Sequence, residues 1–225
     1  MVMVLLGRLG KLFSMLAVTW ASLVQPAATH GFLEQPAARN VQHNSDWCAQ
    51  CLSAGGADAV WSGSKMRYGV CGDAWNGPKH HEAGGKFASP PKIAGRYKRG
   101  RTITVRVVLT ANHIGRWSLR LCPLTDPSPR AEKRQLTDAC LRALQRADGS
   151  GPHTFVPGNV STFVVKYKLP RGVSCKRCVL QWLYETGYTC RPPGTPTQYV
   201  GTNVPACGPS AKGEIFVNCA DIAIS

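Results

Sequence analysis

Apolar and polar residues alternate along 102–109: Ile103, Val105, Val107 and Leu109 fall on one side, with Thr104, Arg106 and Val108 between them. A period of two predicts a half-buried strand. Trp117, Leu119 and Leu121 repeat the beat after Gly115. Residues 112–116 therefore connect two strands, and His113 is expected at the edge of a sheet. Further strands are predicted at 162–169, where Phe163, Val165, Tyr167 and Leu169 share a face, at 178–184 and at 214–224. One stretch carries helical spacing instead, with Leu136, Cys140, Leu141 and Leu144 in a predicted helix over 130–147. From 31 to about 98, Gly, Pro, Asn and Ser interrupt any regular spacing, so this region reads mostly as loop. Several strands, long loops and one short helix predict a mainly β, disulfide-rich fold: an antiparallel sandwich of immunoglobulin-like or fibronectin-like type.

The opening of the chain has a different pattern. Arg8 and Lys11 precede an apolar run at 12–24 and then small residues, as in a secretion signal rather than a membrane span. Residues 1–29 are expected to be removed, leaving one domain over 30–225. No later stretch reaches the roughly 18 apolar residues of a transmembrane helix, so a secreted, extracellular protein with no membrane partner is expected. Cutting before His30 leaves Ala27 and Thr29 at the third and last positions; cutting after Ala28 would put Thr29 in front instead.

Composition sharpens this picture. All ten cysteines lie beyond the opening segment, an even number, and five disulfides are expected in an oxidising compartment. Cys48-x-x-Cys51 and Cys175-x-x-Cys178 would suggest zinc in a cytosolic chain; export turns the reading to disulfides. Cys122 and Cys140, flanking one loop, are expected partners, and the other pairings stay open. The chain has 27 basic and 12 acidic residues, and only Arg8 and Lys11 belong to the opening segment. Such an excess suits anionic surfaces. The basic residues are scattered, however, no nucleic-acid motif appears, and export argues against that partner.

The candidate chemistry starts at His30. Freed at the N-terminus, it offers an α-amine and an imidazole together, and His113 would supply a third nitrogen. All-nitrogen donors with open tetragonal positions favour copper(II), and imidazole also serves copper(I). Trp47, Trp61 and Tyr68 lie in the long first region, where flat aromatic faces would either stack on sugar rings or pack the underside of the loop. His80 and His81 read as a surface loop. Asn159-Val160-Ser161 is a glycosylation sequon. No Ser/His/Asp order or phosphate-cradling glycine loop stands out.

Several motifs in order are more specific than any of these alone: His30-Gly31, Cys71-Gly72-Asp73-Ala74-Trp75, Gly84-Gly85-Lys86-Phe87-Ala88, Leu109-Thr110-Ala111-Asn112-His113 with Leu121-Cys122-Pro123, Cys178-Val179-Leu180-Gln181-Trp182, and Phe216-Val217-Asn218-Cys219-Ala220-Asp221-Ile222. Together they resemble the lytic polysaccharide monooxygenases, auxiliary activity family fifteen in particular. The resemblance implies one copper ion, cycling between Cu(I) and Cu(II) and held by His30 and His113. Phe216, five positions before Asp221, would approach one axial side, and Ala111, two before His113, would crowd the other. It also implies oxidative cleavage of glycosidic bonds in crystalline chitin or cellulose, by habit at C1, by a monomer using an external electron donor with O2 or H2O2.

Two departures bear on substrate. Where relatives carry glycine-asparagine-serine-tryptophan, this chain has Glu185-Thr186-Gly187-Tyr188-Thr189-Cys190, followed by a Pro-rich stretch at 191–209. Gln181 and Glu185 are candidates for a hydrogen bond beside the oxygen site, the plainer reading of each being an exposed strand residue. A rival of another class is a non-catalytic polysaccharide- or copper-binding protein of the same fold.

Overall fold

A computed structural model describes residues 31–42, 48 and 51–225. Among the described residues the order is β1 (Gly31–Gln35), α1 (Arg39–Gln42), α2 (Ala57–Val60), β2 (Ile93–Tyr97), β3 (Thr102–Leu109), β4 (Gly115–Pro123), α3 (Pro129–Gln135), β5 (Arg142–Ala143), β6 (Gln145–Arg146), β7 (His153–Val156), β8 (Thr162–Lys168), β9 (Cys175–Thr186) and β10 (Ile215–Ile224). A four-stranded sheet, β1-β3-β8-β6, faces a second sheet ordered β2-β10-β9-β4-β5, with β7 beside the first half of β4. The pairings are antiparallel except that β2 runs parallel to β10. The expected β-sandwich is therefore present, with one parallel edge.

The core follows from the alternation. Ile103, Val105, Val107 and Leu109 turn inward from β3 and meet Leu119 and Leu121 of β4, Leu180 and Trp182 of β9, and Ile222 and Ile224 of β10. Trp117 packs edge-on against Phe163 at 6.2 Å and beside Tyr167 at 5.9 Å. Each large apolar side chain so buried stabilises the fold by about 1.5–3 kcal/mol. One polar tie crosses this core: the Asn218 side-chain carbonyl of β10 accepts the backbone N–H of Leu33 in β1 at 2.9 Å.

The region 31–98 is more structured than its composition predicts. β1 and β2 both lie within it. The loops between them form a further layer over the outer face of the larger sheet. Ala54 and Val60 pack there against Leu183, Ile215 and Val217, while Cys71 joins Leu124, Leu136, Leu141, Val179 and Cys219. This layer explains why β10 is buried along both faces.

The helix predicted over 130–147 is a correction. α3 spans only Pro129–Gln135, with Ser128 capping the Ala131 N–H at 3.1 Å. Beyond it the chain is tied by Cys122–Cys140, and Leu144 donates its N–H to the Leu119 carbonyl at 2.8 Å. The apolar spacing there serves two different clusters, since Leu136 and Leu141 pack on the outer face and Leu144 in the main core. One helical stripe could not reach both.

The remaining disulfides are Cys48–Cys51, Cys71–Cys219, Cys175–Cys178 and Cys190–Cys207, which completes the expected five. Buried beside Cys71 is a four-charge cluster. The Arg39 guanidinium reaches Asp221 at 2.8 Å and Glu132 at 2.8 Å, and Arg177 contacts the same two carboxylates. The charges balance, which buried ions require. Burial alone would favour the neutral acid of Asp221, but the two guanidiniums outweigh it and hold the carboxyl below the usual range. His81, expected on the surface, lies buried against Phe87 with its Nδ1 2.8 Å from Asp73. His80 is exposed. No helix among the described residues is long and apolar enough to cross a membrane.

Candidate metal centre

His113 sits in the turn joining β3 to β4, at one end of the sandwich, and its backbone is held from several sides. The Tyr184 hydroxyl accepts the His113 N–H at 3.1 Å and donates to the Ile114 carbonyl at 2.7 Å. The His113 carbonyl accepts the Gly187 N–H at 2.9 Å. The Asn112 side-chain amide donates to the carbonyls of Pro157 and Val160, at 2.8 and 2.5 Å, and its oxygen accepts the Ile114 N–H at 2.7 Å.

The turn needs this support because Ile114 has φ 47°, a left-handed conformation that a β-branched residue rarely adopts. The next residue, Gly115, has φ 97°, and a Cβ there would lie 2.3 Å from the Glu185 carbonyl oxygen. Only glycine fits that approach.

Tyr184 is the last inward-facing aromatic of β9, stacked between Trp182 at 5.8 Å and Phe216 at 6.0 Å. Burial pushes its phenol well above the ordinary value, so it stays protonated and can keep donating to Ile114. Gly31 enters the same end of the molecule, paired in register with Leu109. A Cβ at Gly31 would lie 2.5 Å from Leu109 Cδ2 and 3.2 Å from Trp182 Cη2. The first strand is thus pressed directly against the core.

The His113 imidazole itself is half-buried. Its ring takes no hydrogen bond among the described residues; the contact recorded is edge-on with Tyr188, at 5.6 Å between centroids and 87° between planes. An imidazole on a fixed backbone, its nitrogens unengaged among the described residues, suits a copper or zinc ion. Among the described residues no three His, Cys, Asp or Glu side chains gather around a metal. Any further ligand must come from elsewhere, and His30 lies outside the described residues, as does Trp47.

The other candidates are distributed unevenly. Phe216 is fully buried in the main core and joined to His113 through Tyr184. Ala111 is half-buried in the same turn as His113. Gln181 and Glu185 are buried rather than exposed, and they leave β9 on the face opposite Tyr184. The Gln181 amide donates to the Val70 carbonyl at 2.7 Å and accepts from Arg120 at 3.1 Å. Glu185 pairs with Arg116 at 2.8 Å.

Trp61 and Tyr68 pack against the outer cluster under the loop layer, the Trp61 indole donating to the Gly213 carbonyl at 3.0 Å. Asn159 is exposed in the turn before β8. Sequence reasoning missed Tyr184, Asn112 and Tyr188. The period-two pattern of β9 puts Tyr184 on the inward face, but nothing local shows what its hydroxyl holds.

A family model described as "Lytic polysaccharide mono-oxygenase, cellulose-degrading" matches residues 30–222. Among solved structures, the chain is similar to the lytic polysaccharide monooxygenase AA15 from Thermobia domestica in the Cu(I) state, with 30% identity and a TM-score of 0.66, over 87% of this chain and 98% of that one. It also matches cellulose-active CelS2 in complex with copper, at 15% identity and a TM-score of 0.39, over 86% of this chain and 98% of that one. No curated protein sequence matches it significantly. A family match spanning nearly all of the sandwich, from the strand that begins at Gly31 to the one that carries Phe216, means that the chain belongs to the lytic polysaccharide monooxygenases.

Proposed function

We propose that this protein is a secreted copper-dependent monooxygenase that cleaves glycosidic bonds in crystalline chitin or cellulose, with attack at C1. In this reading residues 1–29 are removed on export. The new N-terminus, His30, then holds copper through its α-amine and ring together with the ring of His113. The observation that carries the reading is the His113 turn: an imidazole whose nitrogens are unengaged among the described residues, on a backbone clamped by Tyr184, Asn112 and Gly187. Gly31 supports it, because the residue next to His30 is in register with Leu109, four positions before His113.

Copper, when bound, supplies one-electron chemistry on dioxygen or peroxide that no side chain here provides. The protein's own part is positioning. The Tyr184 phenol, kept protonated by burial, fixes the main chain on both sides of the His113 carbonyl. Phe216 fills the core beneath that end with carbon and offers no polar ligand. The Thermobia domestica relative is a Cu(I) protein, and the matching family is described as cellulose-degrading.

The test is incubation of the mature protein with chitin or cellulose and ascorbate, read by mass spectrometry. Oligosaccharides heavier by one oxygen, or aldonic acids, are expected, and His113→Ala should abolish both them and copper uptake while staying folded. Retention on the polymer with no oxidised product would make the protein a binder and sink the enzyme reading. Sequencing the secreted N-terminus should return His30 first.

A further inference from the structure

Two large apolar side chains stand exposed among the described residues, Val164 on β8 and Tyr188, and Tyr188 is 73% exposed. Val164 belongs to the smaller sheet, whereas Tyr188 meets His113 edge to face. We propose that Tyr188 is a sugar-stacking residue that seats a pyranose of the polysaccharide beside His113 and sets which polymer the site accepts. This rests on the reading of His113 as a metal ligand.

The backbone around Tyr188 is fixed while its side chain is exposed, which is the arrangement a binding platform needs. On one side Gly187 donates its N–H to the His113 carbonyl, and it is packed so closely that a Cβ would lie 2.3 Å from Val200 Cγ1 and 2.9 Å from Gly115. On the other, the Thr189 hydroxyl donates to the Lys212 carbonyl at 2.9 Å, and Cys190 is buried in its disulfide with Cys207. A tyrosine held this way supplies a broad rigid surface and loses little conformational freedom on binding.

The ring has the right chemistry as well. Because the two rings are perpendicular, the imidazole covers at most one face of the phenol. The hydroxyl makes no hydrogen bond among the described residues and is available to a sugar hydroxyl. An aromatic face suits the apolar axial hydrogens of a pyranose, and the polar tip suits its rim. Trp61 and Tyr68, by contrast, are partly buried against the outer cluster of the loop layer. The stretch 185–190, where this chain departs from the pattern of the relatives it resembles, thus places its one well-exposed aromatic against the candidate ligand.

The experiment compares Tyr188→Ala and Tyr188→Trp with the wild-type mature protein. It measures retention on chitin and on cellulose, Cu(II) affinity by calorimetry, and thermal stability. Stacking predicts that Tyr188→Ala loses roughly five- to tenfold in retention on the preferred polymer and that Tyr188→Trp keeps it. Cu(II) affinity and melting temperature should match wild type in both variants. Unchanged retention in Tyr188→Ala overturns the proposal. A parallel loss of Cu(II) affinity and retention also overturns it, because Tyr188 would then act through His113. If Tyr188→Ala loses retention while the wild type yields no oxidised product, the enzyme reading fails and the stacking role stands.

Discussion

The hydroxyl of Tyr184 bridges the two peptide groups that flank the His113–Ile114 bond, accepting from the N–H of His113 and donating to the carbonyl of Ile114. A core side chain on β9 thereby sets the geometry of a turn 70 residues earlier. Tyr184→Phe keeps the ring stack with Trp182 and Phe216 and removes only this clamp. It is expected to cost about 1–3 kcal/mol, because a buried donor and acceptor lose their partner. Amide exchange at His113 should quicken and Cu(II) affinity should fall, whereas a purely structural role for the phenol would leave copper affinity at the wild-type value.

Asn112→Ala tests the other half of the clamp. Its side-chain amide holds the carbonyls of Pro157 and Val160, and its oxygen holds the strained Ile114. Several partners are lost at once, so a cost of about 2 kcal/mol is expected. Thermal denaturation should show it, together with faster proteolysis at 157–161.

The buried charges give the fold an acid-sensitive joint. The Asp221 carboxyl is held below its ordinary range by Arg39 and Arg177 against the opposing effect of burial. A depressed acid contributes stability that is complete above the unfolded value of about 3.9 and is lost as pH falls through the folded value. Melting temperatures followed downward from pH 6 should therefore hold until about pH 4 and then drop through this group. Asp221→Asn leaves two guanidiniums undercompensated and should destabilise by about 3–5 kcal/mol at neutral pH. Its own melting curve should lack that part of the acid dependence.

Cys190–Cys207 closes a loop with a sequence separation of 17 under the Tyr188 platform. Replacing both cysteines by serine should cost about 3 kcal/mol from the regained freedom of the unfolded chain. The same variant should lose polysaccharide retention more than copper binding, since the Cys190 anchor serves Tyr188 while Asn112 and Tyr184 still hold His113. Equal losses of both would show that the loop supports the histidine.

Strand order along the chain was largely readable because a strand's side chains alternate whatever they pack against. The β3 pattern, the β4 pattern and the turn carrying His113 between them all appear where the alternation puts them. The same logic failed for 130–147, where apolar spacing compatible with one helix is divided between two clusters on opposite sides of a sheet. It also failed for β1, five residues long, whose strand character comes from pairing with β3. Gln181, Glu185 and His81 misled for a related reason: each is polar by type and buried by partners far away in sequence, such as Val70 for Gln181, 111 positions off.

By itself the sequence determined the class of the fold, the number of disulfides and the pair of histidines worth watching, since alternation, cysteine parity and motif order are properties of neighbours along the chain. Only the tertiary structure decided that Tyr184 and Asn112 hold His113 and that Tyr188, rather than Trp61 or Tyr68, faces solvent beside it. The same is true of the four charges that Arg39 and Asp221 gather in the interior. The physical reason is that burial and hydrogen-bond partnership depend on what a distant segment brings to the same place. Arg39 and Asp221, 182 residues apart, meet at 2.8 Å.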